Sequence, residues 1–386
     1  MNEEFLPFSK PCIDQATIDE VVDCLRSGWL ATGPRVKRFE SDLAKYFKKE
    51  VSNVLVLTSA TAGLQFALQS LNFQPGDEVI TTPITFAASA NTIVQAGAKP
   101  VFVDVELATR NIDVAKIEKA ITAKTKVILP VHFAGVPVDL DAIYALAKKY
   151  NLRVIEDAAH AVGSFYKDKI IGSFGDTQVF SFHPNKVMTS GEGGAVTTSD
   201  ASMAKFISIM RFHGIDREAW NRNAKEGSQH YDVIAAGYKY NMMDLQAAIG
   251  IHQLAHLEEF IAKRTALVLR YNELFAGWEE LMLPLNPEYS SRNCWYIYAP
   301  LINVEKAGVT RDEFMQKMKD NNIGTGLHYE AVHLYSFYQK TFGYKKGDFP
   351  NAEIISDRIV SLPLFPDMTF AEQDRVVTTM RKIFKG

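Results

Sequence analysis

Lysine, acid, aromatic and hydroxyl residues stand at the ends of four apolar runs of this chain. Each type has chemistry to offer there. Lys186 closes Val179-Phe180-Ser181-Phe182-His183-Pro184-Asn185-Lys186, just before the turn Ser190-Gly191-Glu192-Gly193-Gly194. A lysine is ordinarily a solvated surface charge. Between an aromatic strand and a glycine cluster it is poorly placed for that, and an amine whose pKa is lowered there becomes a nucleophile able to form Schiff bases. Glu156 and Asp157 follow Val154-Ile155 and precede His160. One acid can cap the next segment, but a carboxylate entering a buried site needs a positive partner. Phe86 follows Thr82-Pro83-Ile84-Thr85, either as core or as a plate for a flat ligand. Thr58-Ser59-Ala60-Thr61-Ala62-Gly63 follows Leu55-Val56-Leu57 and opens a helix. It reads as a plain N-cap by Ser59 or Thr61, or as an anion cradle of free N–H groups at the positive end of a helix.

These residues must be positioned by the elements that precede them. The strands predicted are 54–57, 78–81, 100–105, 126–132, 153–156, 178–182 and 194–198, several of them continuously apolar as expected of strands covered on both faces. Helical spacing occupies 61–71, 85–96, 113–121 and 139–150. Strand and helix in alternation predict a mostly parallel three-layer α/β domain over residues 1–250, and ligands in such sheets bind at the carboxyl ends of strands. Residues 251–386 are expected to form a linking helix (His252–Trp278) and a smaller α+β domain. In that domain Trp295–Leu301 alternates like a half-buried strand, Ile323–Tyr329 reads as another, and 370–384 as a final helix. Thr310 and Glu313 match a capping box.

Composition narrows the class. With 42 basic and 45 acidic residues the formal charge is −3, so no global basic field argues for nucleic acid or an anionic membrane. No apolar run approaches the roughly 20 residues of a membrane span. The acidic, Pro-interrupted start is not expected to be a secretory signal. Three scattered cysteines suit a reducing, cytoplasmic setting better than disulfides or a zinc site. His328 and His333 lack the HExxH pattern, and no metal is expected. No GxGxxG follows a predicted strand, which argues against a dinucleotide.

Taken together, an anion cradle, an aromatic plate, an acid and an amine match what pyridoxal phosphate (PLP) needs: phosphate at a helix start, a stacked ring, an acid on the pyridine nitrogen and a lysine on the aldehyde.

These same segments, with Gly237-Tyr238-Lys239-Tyr240-Asn241, Ser27-Gly28-Trp29 and Thr32-Gly33-Pro34, resemble the sugar aminotransferases of the DegT/DnrJ/EryC1/StrS type, of fold type I. Gly324-Thr325-Gly326-Leu327-His328-Tyr329 and Ser361-Leu362-Pro363-Leu364-Phe365-Pro366 resemble the branch represented by UDP-4-amino-4-deoxy-L-arabinose synthase. The resemblance implies that Lys186 bonds to PLP, Asp157 pairs with the ring nitrogen, Phe86 stacks and His160 packs beside the ring. It implies that Thr61, Ala62 and Ser181 hold the phosphate, and that Asn241 reaches the phosphate of a neighbouring protomer in a homodimer with shared active sites. Trp29, Thr32, His328 and Tyr329 become sugar-nucleotide contacts, with plain packing the other reading for Trp29 and Tyr329. Arg211 is open between a carboxylate or diphosphate contact and an ordinary ion pair. Pro184-Asn185 departs from the Ala-Ile common in close relatives and bears on the substrate. The implied reaction moves the amino group of L-glutamate to C4 of a UDP-linked 4-keto sugar, for lipopolysaccharide or another surface glycan. The alternatives are a PLP-dependent deoxysugar dehydratase, whose relatives carry histidine in place of the lysine, and a catalytically inactive sugar-nucleotide-binding relative.

Overall fold

The apolar runs pair into one sheet. The computed structural model describes residues 4–216 and 231–385. Its strands are β1 (Val54–Leu57), β2 (Glu78–Thr81), β3 (Lys99–Phe102), β4 (Thr125–Ile128), β5 (Arg153–Asp157), β6 (Thr177–Ser181) and β7 (Gly194–Thr198). In space they run β1-β7-β6-β5-β4-β2-β3. Neighbours from β6 to β3 are parallel, and β7 runs against both β6 and β1. Parallel neighbours need long crossovers. Helices α1 (Gln15–Ser27), α2 (Pro34–Phe47), α3 (Ala60–Gln69), α4 (Ala87–Gln95), α5 (Val114–Ala120), α6 (Leu140–Tyr150) and α7 (Ala201–Met210) supply these and the covering layers.

Strand alternation sorts the side chains into two cores. Leu55, Leu57, Ile155 and Val179 pack with Leu64, Phe66 and Leu68 of α3, Ile93 of α4 and Ile207 of α7. Val54, Val56, Val154 and Phe180 pack on the other face, with Phe39 and Leu43 of α2 and Ile143 of α6. Covered on both sides, the strands carry the continuous apolar runs seen in the sequence. This is the three-layer, mostly parallel fold expected.

Close packing at the start of α3 rests on two glycines. A Cβ on Gly63 would lie 2.8 Å from Val179 Cγ1. One on Gly194 would lie 2.4 Å from the backbone nitrogen of Ala60 and 2.8 Å from the carbonyl oxygen of Phe180. The start of β7 is thus pressed directly against the turn that opens α3.

The later chain departs from expectation in three places. The long helix read from His252 to Trp278 is two helices, α8 (Asp244–Ala255) and α9 (Leu257–Leu274), meeting at His256, whose ψ of 0° breaks the spiral. The break lets α8 pack on α1 and α2 while α9 turns Leu267, Val268 and Tyr271 into a separate core with Phe314, Met318 and Met380. The alternating segment from Trp295 is not a half-buried strand, because Tyr296 through Pro300 are all buried, and regular pairing is confined to Leu301–Ile302 against Leu281–Met282. Ile323–Tyr329 makes single bridges to Leu6 and Ser361 instead of a strand. The helix Arg311–Asp320 with its Thr310/Glu313 capping box, and the terminal helix Phe370–Lys385, form as read.

Because the atoms around Gly194 are backbone and cannot yield, Gly194→Ala is expected to cost about 1–3 kcal/mol. A urea melt showing an unchanged midpoint would contradict this close approach.

Candidate active site

The carboxyl ends of the strands open into a cavity of about 590 Å³. From the sheet side it is lined by Thr61, Phe86, Asp157, His160, Ser181 and Lys186, and from the later chain by Tyr296, His328 and Tyr329. Eight of the twelve residues singled out in the sequence therefore converge on one space of a size usual for small-molecule sites.

Glu156 and Asp157 are neighbours on β5, so they point to opposite faces. Glu156 enters the α6 side, where it accepts hydrogen bonds from Tyr144 (2.7 Å) and Gln178 (2.7 Å) and meets His132 Nε2 at 2.9 Å. His132 Nδ1 accepts the Val138 N–H at 3.2 Å, so the His132 proton sits on Nε2 and is donated to Glu156. This acid belongs to the framework. Asp157 faces the cavity, 5% exposed. Its Oδ2 accepts from Ser89 Oγ (2.7 Å) and its Oδ1 from the Ala159 N–H (3.1 Å). Burial pushes its carboxyl above the ordinary value, while those two donors and the charge of Lys186 pull the other way.

Lys186 follows β6 on a turn closed by its own N–H to the His183 carbonyl (2.9 Å). Its amine sits 4.0 Å from the ring centroid of Tyr296. Burial draws the amine down to about 7, with Asp157 partly opposing. At neutral pH a large share is then the neutral nucleophile. Tyr296 is held by the buried guanidinium of Arg264, which donates to the carbonyls of Trp295, Tyr296 and Leu364.

His160 is fixed in one tautomer. Its Nδ1 accepts the Ala134 N–H at 3.3 Å, so Nε2 carries the proton and donates to the Tyr329 hydroxyl at 3.0 Å. Burial and the nearby Lys186 hold it well below the usual histidine range, and it is neutral. His328 Nδ1 pairs with Ser361 Oγ at 2.8 Å, and burial takes its pKa down to about 3. Phe86 is the N-cap residue of α4, 61% exposed at the cavity mouth, with its ring centroid 6.0 Å from that of Tyr329. Ser59 caps α3, leaving the N–H groups of Ala60 and Thr61 in the first turn, where a helix has no acceptor of its own. The Ala62 N–H is already given to Ser59 Oγ (3.1 Å), so that amide is committed to the cap.

The other expected residues lie off this cavity. Asn241 bridges to Leu57 and donates through Nδ2 to Thr32 Oγ1 at 2.5 Å. Trp29 Nε1 donates to the Thr32 carbonyl at 3.2 Å. Within one chain Trp29, Thr32 and Asn241 form a cluster of their own. Arg211 resolves to an internal ion pair with Glu40 (2.6 Å) and donates to the Val56 carbonyl (2.8 Å). His333 is buried against Glu353, and no group of three or more metal-ligating side chains occurs among the described residues. No helix among the described residues is long and apolar enough to cross a membrane. Sequence reading missed Ser89 and Tyr296. Ser89 lies one helical turn after Thr85, a spacing that was available, whereas Tyr296 comes from a distant segment that only the fold delivers.

The donor set fits PLP: an amine drawn down to about 7, a buried acid held by donors, an exposed ring and a helix start share one cavity. A family model described as the DegT/DnrJ/EryC1/StrS aminotransferase family matches residues 11–381. The chain belongs to that family. It is an enzyme, a PLP-dependent sugar aminotransferase. Spore coat polysaccharide biosynthesis protein SpsC of Bacillus subtilis is 45% identical over 383 residues, covering 99% of this chain and 98% of that protein. The UDP-4-amino-4-deoxy-L-arabinose–oxoglutarate aminotransferase of Shewanella sediminis is 41% identical over 387 residues, 99% of each. A provisionally assigned sugar aminotransferase of Streptococcus pneumoniae, solved in its PLP form, superposes with a TM-score of 0.89 at 32% identity over 99% of both chains.

In coenzyme-free enzyme, an amine acylating reagent is expected to label Lys186 with a rate midpoint near pH 7, measured by peptide mass spectrometry. Its amine falls from 10.5 to about 7 on folding, so the unfolded chain binds more protons between those values. This residue then makes stability rise with pH across that window, and Lys186→Met is expected to flatten that part of the curve.

Proposed function

We propose that the enzyme moves the amino group of L-glutamate to the C4 ketone of a UDP-linked 4-keto sugar, feeding a surface glycan, and that it works as a cytoplasmic homodimer. The observation that carries the reading is the meeting of the Lys186 amine and the Asp157 carboxyl in one cavity at the ends of adjacent strands. The donor and sugar are supported by the Shewanella relative, whose name pairs oxoglutarate with a UDP-linked 4-amino sugar. A glycan pathway is supported by the naming of SpsC.

PLP, when bound, supplies an electron sink for the carbon that gains or loses the amine. In this reading Lys186 would hold the coenzyme, and its free amine would carry the proton taken from the donor α-carbon to C4′ of the coenzyme. Its pKa near 7 suits both directions of transfer. Asp157 keeps the ring nitrogen protonated. Thr61, Ser181 and the first amides of α3 receive the phosphate. Phe86 and neutral His160 bound the ring, and His328 and Tyr329 face the sugar. Asn241, with its buried Oδ1 lacking a donor, and its neighbours Trp29 and Thr32 are assigned to the cavity of the partner protomer. We place the boundary between a large domain (1–250) and a small one (251–386) near the start of α9, a division supported by the separate core under that helix.

Borohydride reduction of the holoenzyme is expected to leave the coenzyme on Lys186, and a label on any other lysine would end this assignment. Lys186→Ala should lower amine transfer by about a thousandfold or more, and Asp157→Asn by about a hundredfold. A panel of UDP- and dTDP-linked 4-keto sugars with L-glutamate, followed by mass spectrometry, tests the substrate. Preference for a dTDP sugar, or release of dehydrated sugar without amine transfer, would overturn the UDP aminotransferase reading.

A further inference from the structure

Asp157 is reached from α4 by a chain of two hydroxyls. Ser89 Oγ lies 2.7 Å from Asp157 Oδ2 and 2.7 Å from Thr85 Oγ1, and a third acceptor, the Phe86 carbonyl, lies farther away at 3.4 Å. Thr85 is 2% exposed and Ser89 0%. A hydroxyl has one proton to give, and an ionised carboxylate can only accept. The Ser89 proton therefore goes to Asp157, and Thr85 must give its own to Ser89. With Asp157 ionised, the chain therefore runs from Thr85 to Ser89 to Asp157.

Burial makes an uncompensated carboxylate costly, and a charge-assisted hydrogen bond from a neutral donor offsets part of that cost without adding charge. Besides Ser89, the groups felt at Asp157 are the Ala159 N–H on Oδ1 and the charges of Lys186 and His132, and Asp157 in turn acts on Tyr329. Lys186 is a cation with a second task, since an amine that acts as a nucleophile must spend time neutral. His132 is committed to Glu156 on the opposite face. The permanent support on Oδ2 is thus Ser89.

We propose that Ser89, polarised by Thr85, is a positioning residue that holds Asp157 ionised and oriented and so sets the protonation of the PLP ring nitrogen. This rests on the assignment of Asp157 to that nitrogen. Through α4 the same short segment carries Phe86, so ring stacking and ring charge are governed from one helix start.

The test uses holoenzyme loaded with PLP labelled with nitrogen-15 in the ring, read by NMR. The wild type is expected to show a protonated ring nitrogen. Ser89→Ala should move the resonance toward the unprotonated range and weaken PLP binding about tenfold or more. Thr85→Val should move it less in the same direction, and Thr85→Ser should restore the wild-type position. An unprotonated ring in the wild type would refute the Asp157 assignment itself. A protonated ring in the wild type with no shift in Ser89→Ala would refute only the relay. Where Ser89→Ala takes up no coenzyme, an unshifted Thr85→Val refutes the relay in its place.

Discussion

A buried acid and a half-buried amine that share a cavity at the end of one sheet govern this structure. Neither ion is cheap alone in a buried setting, and each lowers the cost of the other. Asp157 is raised by burial and restrained by Lys186, while Lys186 is lowered by burial and restrained by Asp157. The outcome is an acid supported by dedicated donors facing an amine poised near neutrality.

The framework serves that balance through strand periodicity. Because β5 alternates, Glu156 and Asp157 cannot share a role, although they are adjacent and chemically alike. Glu156 is absorbed by Tyr144, Gln178 and His132, which lock β5 to α6, β6 and the loop after β4. That leaves Asp157 alone on the cavity side, where α4 provides Ser89 and the turn after β5 provides the Ala159 amide. On β7, beyond β6, the contact of Gly194 with the opening turn of α3 sets the candidate anion cradle against the end of β6, the strand that leads to Lys186.

The later chain closes the site from above. Arg264, buried and donating to three carbonyls, fixes the backbone on which Tyr296 lies beneath the Lys186 amine. His160, held in a single tautomer by Ala134, donates a hydrogen bond to the Tyr329 hydroxyl and joins the strand end to that outer wall. The wall is irregular chain rather than the strands that alternation suggested, because both faces of Tyr296–Pro300 are buried and a period-two pattern has no solvent side to report.

Local order was legible in the amino acids: continuous apolar runs for strands covered twice, the Thr310/Glu313 cap, and small or charged residues at strand ends. Those signals arise from neighbours along the chain. They determined the three-layer fold and nominated Lys186, the Glu156–Asp157 pair, Phe86 and the Ser59–Thr61 helix start. Which acid of the Glu156–Asp157 pair faces the cavity, that Arg211 is spent on Glu40, that the long helix breaks at His256, and that Tyr296 belongs to the site were decided by tertiary structure alone. Each depends on a partner far away in sequence or on which face a neighbouring layer covers, and no local spacing encodes that.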